Sequence, residues 1–139
     1  MQAVAVNDIW DKRKQRAREA TGVDERSVYH DYREVCARPD VDAVVIASPD
    51  HWHHLQTMDA LRSGKDVYLE KPMTYTVDEA REIVEAVKSS GRVLQVGSAK
   101  DLRRVVVQRG DAPAAVMPRS GGDQYPLRQG EWHDVAIVV

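Results

Sequence analysis

Phenylalanine is absent from the 139 residues, which leaves the aromatic load to three tryptophans and five tyrosines. Nothing in the chemistry of the chain accounts for that absence. Cysteine is nearly absent too. A lone Cys36 excludes an internal disulfide and a cysteine-based metal set. Its neighbours Tyr32 and Val35 make it a core thiol. No apolar run approaches the roughly 18 residues of a membrane span. Met1 opens no signal-peptide pattern, so the expected location is cytoplasmic, with no membrane partner. Charge of either sign is not in excess: 20 basic and 22 acidic residues leave −2. That balance lacks the basic footprint of a nucleic-acid binder.

What remains is an ordinary globular composition, 42% apolar and 30% charged, with room for one domain. Ala3 to Val6 is a short apolar run ending in Asn7-Asp8. Trp10 to Ala20 is rich in helix formers, and Gly22 is placed to stop it in a left-handed conformation. Val28-Tyr29 reads as a brief strand. Asp31 caps a short helix that Pro39 ends. Val41 to Ala47 is apolar except for Asp42, as in a strand covered on both faces. Pro49-Asp50 opens a helix whose inward residues are expected to be Leu55, Met58 and Leu61, with Gly64 at its end. Val67 to Leu69 is again a strand. Thr76 and Glu79 form a capping box, Ala80, Ile83, Val84 and Val87 mark one helical face, and Gly91 closes it. Val93 to Val96 is a further strand, running to Gly97-Ser98. Strands and helices therefore alternate on short loops, the pattern of a parallel α/β sheet with right-handed crossovers. After Ser98 the character changes. Val105 to Val107 and Val135 to Val139 are possible strands, while Pro113, Pro118, Pro126 and Gly121-Gly122 interrupt the rest.

Chemistry concentrates where strands end, because ligands of open parallel sheets bind beyond the carboxyl ends of the strands. Asp8 ends the first apolar run. An acid there either accepts hydrogen bonds from ribose hydroxyls or stabilises the following helix start. Lys12 and Arg13 stand close in sequence, which leaves the preference between a 2′-hydroxyl and a 2′-phosphate open. Ser48-Pro49-Asp50-His51-Trp52-His53-His54 sets polar groups and free helix amides at the mouth of the sheet. Its three histidines have no second ligand cluster at familiar spacing, so no metal is expected. Glu70-Lys71-Pro72 ends the strand Val67 to Leu69. Lys71 is a candidate proton donor or electrostatic anchor. Glu70 either binds a ribose hydroxyl or holds Lys71. The bland alternative is a surface ion pair worth under about 1 kcal/mol.

The stretches Ala43-Val44-Val45-Ile46-Ala47-Ser48-Pro49-Asp50-His51-Trp52-His53 and Gly64-Lys65-Asp66-Val67-Tyr68-Leu69-Glu70-Lys71-Pro72 resemble the N-terminal domain of the Gfo/Idh/MocA oxidoreductases. Ser-Pro-Asp-x-x-His looks like that family's Thr-Pro-Asn-x-x-His, and Glu-Lys-Pro is its signature. The resemblance covers roughly Ala3 to Ser98. It implies a Rossmann sheet that binds NAD or NADP and hydride transfer to or from a sugar, polyol or derivative. By the resemblance, Asp8 contacts the adenosine ribose and leans the preference to NAD. Ser48, Pro49 and His53 line the dinucleotide cleft, Glu70 meets the nicotinamide ribose, and Lys71 and Pro72 sit beside the nicotinamide, with Lys71 catalytic. It also implies a cis bond between Lys71 and Pro72.

Two departures from the family pattern shape the expectation. No G-x-G-x-x-G turn occurs in the sequence, and the first strand that carries it is not where the family has it. That strand is central in the order 3-2-1-4-5-6, so its place between two apolar strand edges needs filling. The family's C-terminal sheet domain, with its substrate pocket, is also missing. The expected architecture is a Rossmann-like parallel sheet lacking its first strand and Gly-rich turn. Residues 1–98 form a partial dinucleotide-binding domain, and 99–139 an irregular tail that does not match the family. Such a chain looks truncated, keeps little cofactor affinity and is not catalytically complete. The alternative is a non-catalytic interaction module that self-associates through open sheet edges. Val135 to Val139, wholly apolar, is expected to fill the vacant central place.

Overall fold

The computed structural model describes residues 2–97, and the backbone of 104–109, 115–118 and 134–138. The elements run β1 (Gln2–Asn7), α1 (Asp11–Thr21), a 3₁₀ turn (Glu25–Ser27), β2 (Val28–Tyr29), α2 (Tyr32–Cys36), β3 (Ala43–Ile46), α3 (Asp50–Arg62), β4 (Asp66–Leu69), α4 (Val77–Ser90), β5 (Val93–Val96), β6 (Arg104–Arg109), β7 (Ala115–Pro118) and β8 (Asp134–Val138). Strand and helix alternate through β5 as the apolar pattern predicts.

The helix ends form by recognisable local chemistry. Gly22, at φ 73°, closes α1 in the left-handed region, with its amide on the Arg18 carbonyl. Asp31 caps α2 by accepting from the Arg33 amide. At α4 the capping box is complete: Thr76 accepts from the Glu79 amide, and Glu79 accepts from the Thr76 amide. The Lys71–Pro72 bond is cis, as the resemblance implies.

The strands lie in the order β2-β1-β8-β3-β4-β5-β6-β7. All neighbours from β2 to β5 are parallel, while β6 and β7 add antiparallel at one edge. The central place expected to need filling is taken by β8, which pairs with β1 and β3 together. The first six positions reproduce the doubly wound order 3-2-1-4-5-6, with the central strand supplied from the far end of the chain. The two edges expected to invite self-association are both paired with β8, and this corrects that expectation. β7 is a strand that the proline content of its region hides; Pro118 is tolerated there because β7 lies at the sheet edge. Ser98 and Val139 lie outside the described residues.

The core sits between the sheet and α2, α3 and α4. Ala5, Val35, Val44, Ile46, Ala60, Val67, Leu69 and Ile83 are essentially inaccessible. Truncating Leu69 there would cost about 2–5 kcal/mol. The inward face of α3 differs from expectation. Leu61 is buried, Met58 is only half-buried and Leu55 is exposed; the buried positions are His53, Gln56, Thr57, Ala60 and Leu61. The first half of the helix buries polar groups because they bond the loops at the strand ends. On α4, Ile83 and Val87 are buried but Val84 is exposed.

Candidate functional site at the strand ends

The pairing register brings the carboxyl ends of the strands into one row. Asn7 is level with Val138, Val138 with Ile46, Ile46 with Leu69, and Leu69 with Val96. The next residues along each strand are Asp8, Ala47-Ser48, Glu70 and Gly97. Asp8 and Glu70 stand three strand spacings apart, about 14 Å. Between them runs the boundary of β8 and β3, where the strand order reverses and open sheets leave a crevice.

At the β1 end Asp8 is buried. Its Oδ1 accepts from the Trp10 amide at 2.8 Å. Its Oδ2 receives no hydrogen bond from the described residues, and Arg13 stands 4.0 Å away. A buried carboxylate oxygen without a donor is costly unless something supplies one. Arg13 also lies 5.5 Å over the exposed Trp10 ring.

The β3 and β4 ends are knitted together. Ser48 Oγ donates to Gln56 Oε1 at 2.6 Å. The ring nitrogens of His53 lie 2.7 Å from two main-chain carbonyl oxygens, Nδ1 from Pro72 and Nε2 from Ser48. The Glu70 amide donates to the Ile46 carbonyl at 2.8 Å, and the Gly97 amide to that of Leu69 at 2.8 Å. The Glu70 carboxylate accepts from the Lys71 amide at 3.2 Å and lies 3.5 Å from the Tyr68 hydroxyl. No Glu70–Lys71 ion pair forms. Lys71 is exposed, and no described residue pairs with its ammonium group. Pro49, at the N-cap of α3, provides no side-chain cap; the Trp52 amide donates to the Pro49 carbonyl at 2.9 Å, which leaves the amides of Asp50 and His51 available.

Of the residues marked in the sequence, Ser48, His53, Glu70, Lys71 and Pro72 are joined by these bonds, and Pro49 adjoins them. Asp8 lies across β8 from them. His53 does not line an open cleft: it is 1% exposed and both ring nitrogens face carbonyls. Gly97 and Gln56 escape sequence reasoning. A Cβ at Gly97 would meet Glu70 Oε2 at 3.0 Å and the Tyr68 hydroxyl at 3.1 Å, so the glycine makes room for the carboxylate. Its position at a strand end opposite Glu70 is the signal that marks it.

Two groups away from this row have displaced proton affinities. Burial pushes the Cys36 thiol up to about 11, which keeps it unreactive. The Tyr32 phenol is raised by burial and by its bond to Asp59. No group of metal-ligand type clusters among the described residues. A groove of about 620 Å³ between α3 and α4, lined by Met58, Leu61, Arg81 and Glu85 among others, lies toward the amino ends of the strands and away from this row.

A family profile for an oxidoreductase family with an NAD-binding Rossmann fold matches residues 1–98. The chain belongs to the Gfo/Idh/MocA oxidoreductase family. Inositol 2-dehydrogenase from Klebsiella pneumoniae subsp. pneumoniae is 33% identical over 142 aligned positions, covering 97% of this chain and 42% of that protein. The solved scyllo-inositol dehydrogenase from Lactobacillus casei, with bound NAD(H) and scyllo-inositol, superposes with a TM-score of 0.61 at 28% identity, over 70% of this chain and 28% of that one. KijD10, a 3-ketoreductase from Actinomadura kijaniata solved with NADP, superposes with a TM-score of 0.62 at 28% identity, over 69% of this chain and 29% of that one. The chain thus spans less than half the length of these relatives.

Proposed function

We propose that this chain carries the nicotinamide-dinucleotide contacts of an oxidoreductase acting on a sugar-like polyol of the inositol class, with the partial dinucleotide-binding unit in residues 1–98. The observation that carries this reading is the row of strand ends around the β8–β3 boundary, with an unpartnered buried carboxylate oxygen at one end. Asp8 Oδ2 is placed to accept from a ribose hydroxyl, which suits NAD; Arg13 beside it is the feature that favours a 2′-phosphate. The uncapped amides at the start of α3 suit the ligand's anionic middle. Glu70, with Gly97 leaving it room, is placed for the second ribose.

When bound, the nicotinamide ring accepts or delivers the hydride. Lys71 Nζ, free of any partner among the described residues, takes or returns the proton of the substrate hydroxyl. Pro72 and the buried His53 hold Lys71 at the mouth of the sheet. The sequence has no G-x-G-x-x-G turn for the pyrophosphate, so cofactor affinity in this chain is weak. The expected location is cytoplasmic; among the described residues no helix is long and apolar enough to cross a membrane.

Amide shift mapping of the labelled chain with NADH tests this. Shifts gathered at residues 8–11, 48–51, 70–73 and 97 are expected. Shifts confined to the α3–α4 groove, or none at millimolar NADH, would overturn it.

A further inference from the structure

His53 faces an unusual pair of neighbours. Its ring is 1% exposed, and each nitrogen lies 2.7 Å from a carbonyl oxygen. A carbonyl only accepts, so a favourable contact at that distance requires an N–H on the histidine side. A neutral imidazole has one N–H. With one proton, one of the two carbonyls would meet a ring lone pair, which is repulsive. Only the doubly protonated ring satisfies both.

We propose that His53 is held as a buried imidazolium that clips the Ser48 loop to the Pro72 loop, so that the placement of Lys71 depends on a proton. His53 is a positioning residue: it touches the backbone on either side of the cleft and acts through it. Two short charge-assisted bonds offset the cost of burying the cation.

The surrounding charges are mixed. On its own helix are Asp50, His51, His54 and Asp59. His54 is 2.9 Å from Glu82 of α4, and Asp50 is 3.8 Å from His51. The gripped loop carries Glu70 and Lys71; the Ser48 loop carries no charge before Asp50. The positive end of α3 opposes the cation, while Asp50 in that first turn counters it. The distinctive local feature is therefore the pair of carbonyls. Loss of one proton frees one loop, and Lys71, next to Pro72, loses its fixed position.

The functional consequence rests on the proposed role of Lys71; the protonation state does not. Long-range proton–nitrogen spectra of the histidine rings in the nitrogen-labelled full chain, from about pH 5 to about pH 9, test both parts. At neutral pH both His53 nitrogens are expected to carry protons. On raising the pH, loss of a ring proton is expected to coincide with shifts in the Ser48, Lys71 and Met73 amides. That coincident step is expected to vanish in His53→Gln. A bare ring nitrogen on His53 at about pH 6 overturns the proposal in the wild-type chain alone, whether or not the variant folds. Ring deprotonation without movement of those amides overturns the clip. Failure of NADH to bind would count against the functional reading and leave the ring result to stand on its own.

Discussion

The β3–β4 end of the strand-end row and the β1 end are built on different plans. At the first, Ser48 bonds Gln56, His53 spans Ser48 and Pro72, and the amides of Glu70 and Gly97 are held by the carbonyls of Ile46 and Leu69. At the second, Asp8 makes one local bond, and its other oxygen has no hydrogen-bond donor among the described residues, only Arg13 at 4.0 Å. The first end is organised before any ligand arrives, as positioning of a reacting group requires. The second supplies an unsatisfied acceptor, which turns directly into binding energy when a hydroxyl fills it. Changes at Lys71, which the first end positions, should therefore appear in turnover, and changes at Asp8 in affinity.

The largest expected effect is that of Lys71→Ala. In an assembly competent for turnover, the rate should fall about 10²- to 10⁴-fold. Stability should move by less than about 0.5 kcal/mol, because the side chain is exposed and has no ion-pair partner among the described residues. Steady-state rates and urea midpoints check both halves. Equal activity would remove Lys71 from the chemistry.

Next comes Asp8→Ala, expected to weaken NADH binding about tenfold, corresponding to about 1.4 kcal/mol. Asp8→Asn keeps an acceptor for the Trp10 amide but removes the charge. With Arg13 still beside it, the ratio of NADPH to NADH affinity should rise. An unchanged ratio would separate cofactor choice from this carboxylate.

A smaller effect is expected from Gly97→Ala. The added carbon stands 3.0 Å from Glu70 Oε2, so the carboxylate must give way. Cofactor affinity should drop by a few-fold, for the loss of about 1 kcal/mol of hydrogen bonding. Calorimetric titration would show it, and unaltered binding would mean that Glu70 has no ligand to meet.

Cys36 is remote from both ends and sets the baseline. Its folded thiol, pushed up to about 11 by burial, keeps its proton after an unfolded thiol near about 8.5 has lost its own. The folded state then binds more protons, so this contribution is intact below about 8.5 and is lost as pH rises toward about 11. The loss is on the order of 3 kcal/mol. Chemical denaturation across that range should show a shallower decline in Cys36→Ala.

Much of this fold is legible in the sequence because its signals are local. Gly22, Asp31 and the Thr76–Glu79 box mark helix ends through bonds made within a few residues. Unbroken apolar runs mark strands covered on both faces, and the wholly apolar Val135–Val138 stretch finds the one central place that needs such a strand. The inward face of α3 is hidden because apolar periodicity assumes that polar residues face water; here His53 and Gln56 are buried to hold loops. The Ser48–His53–Pro72 link is hidden for a related reason: main-chain carbonyls are the same in every residue and leave no trace in side-chain pattern. Gly97 matters through a neighbour on another strand, which becomes visible only once β4 and β5 are in register.

The central claim is that this row of strand ends receives a nicotinamide dinucleotide, with Asp8 as its affinity-giving end. Titration of the purified chain with NADH, followed by nicotinamide fluorescence, tests it most directly. The expected result is saturable but weak binding, on the order of 100 μM to 1 mM, about tenfold weaker in Asp8→Ala and unchanged in Lys71→Ala. Micromolar binding, or a curve indifferent to Asp8, would contradict the account.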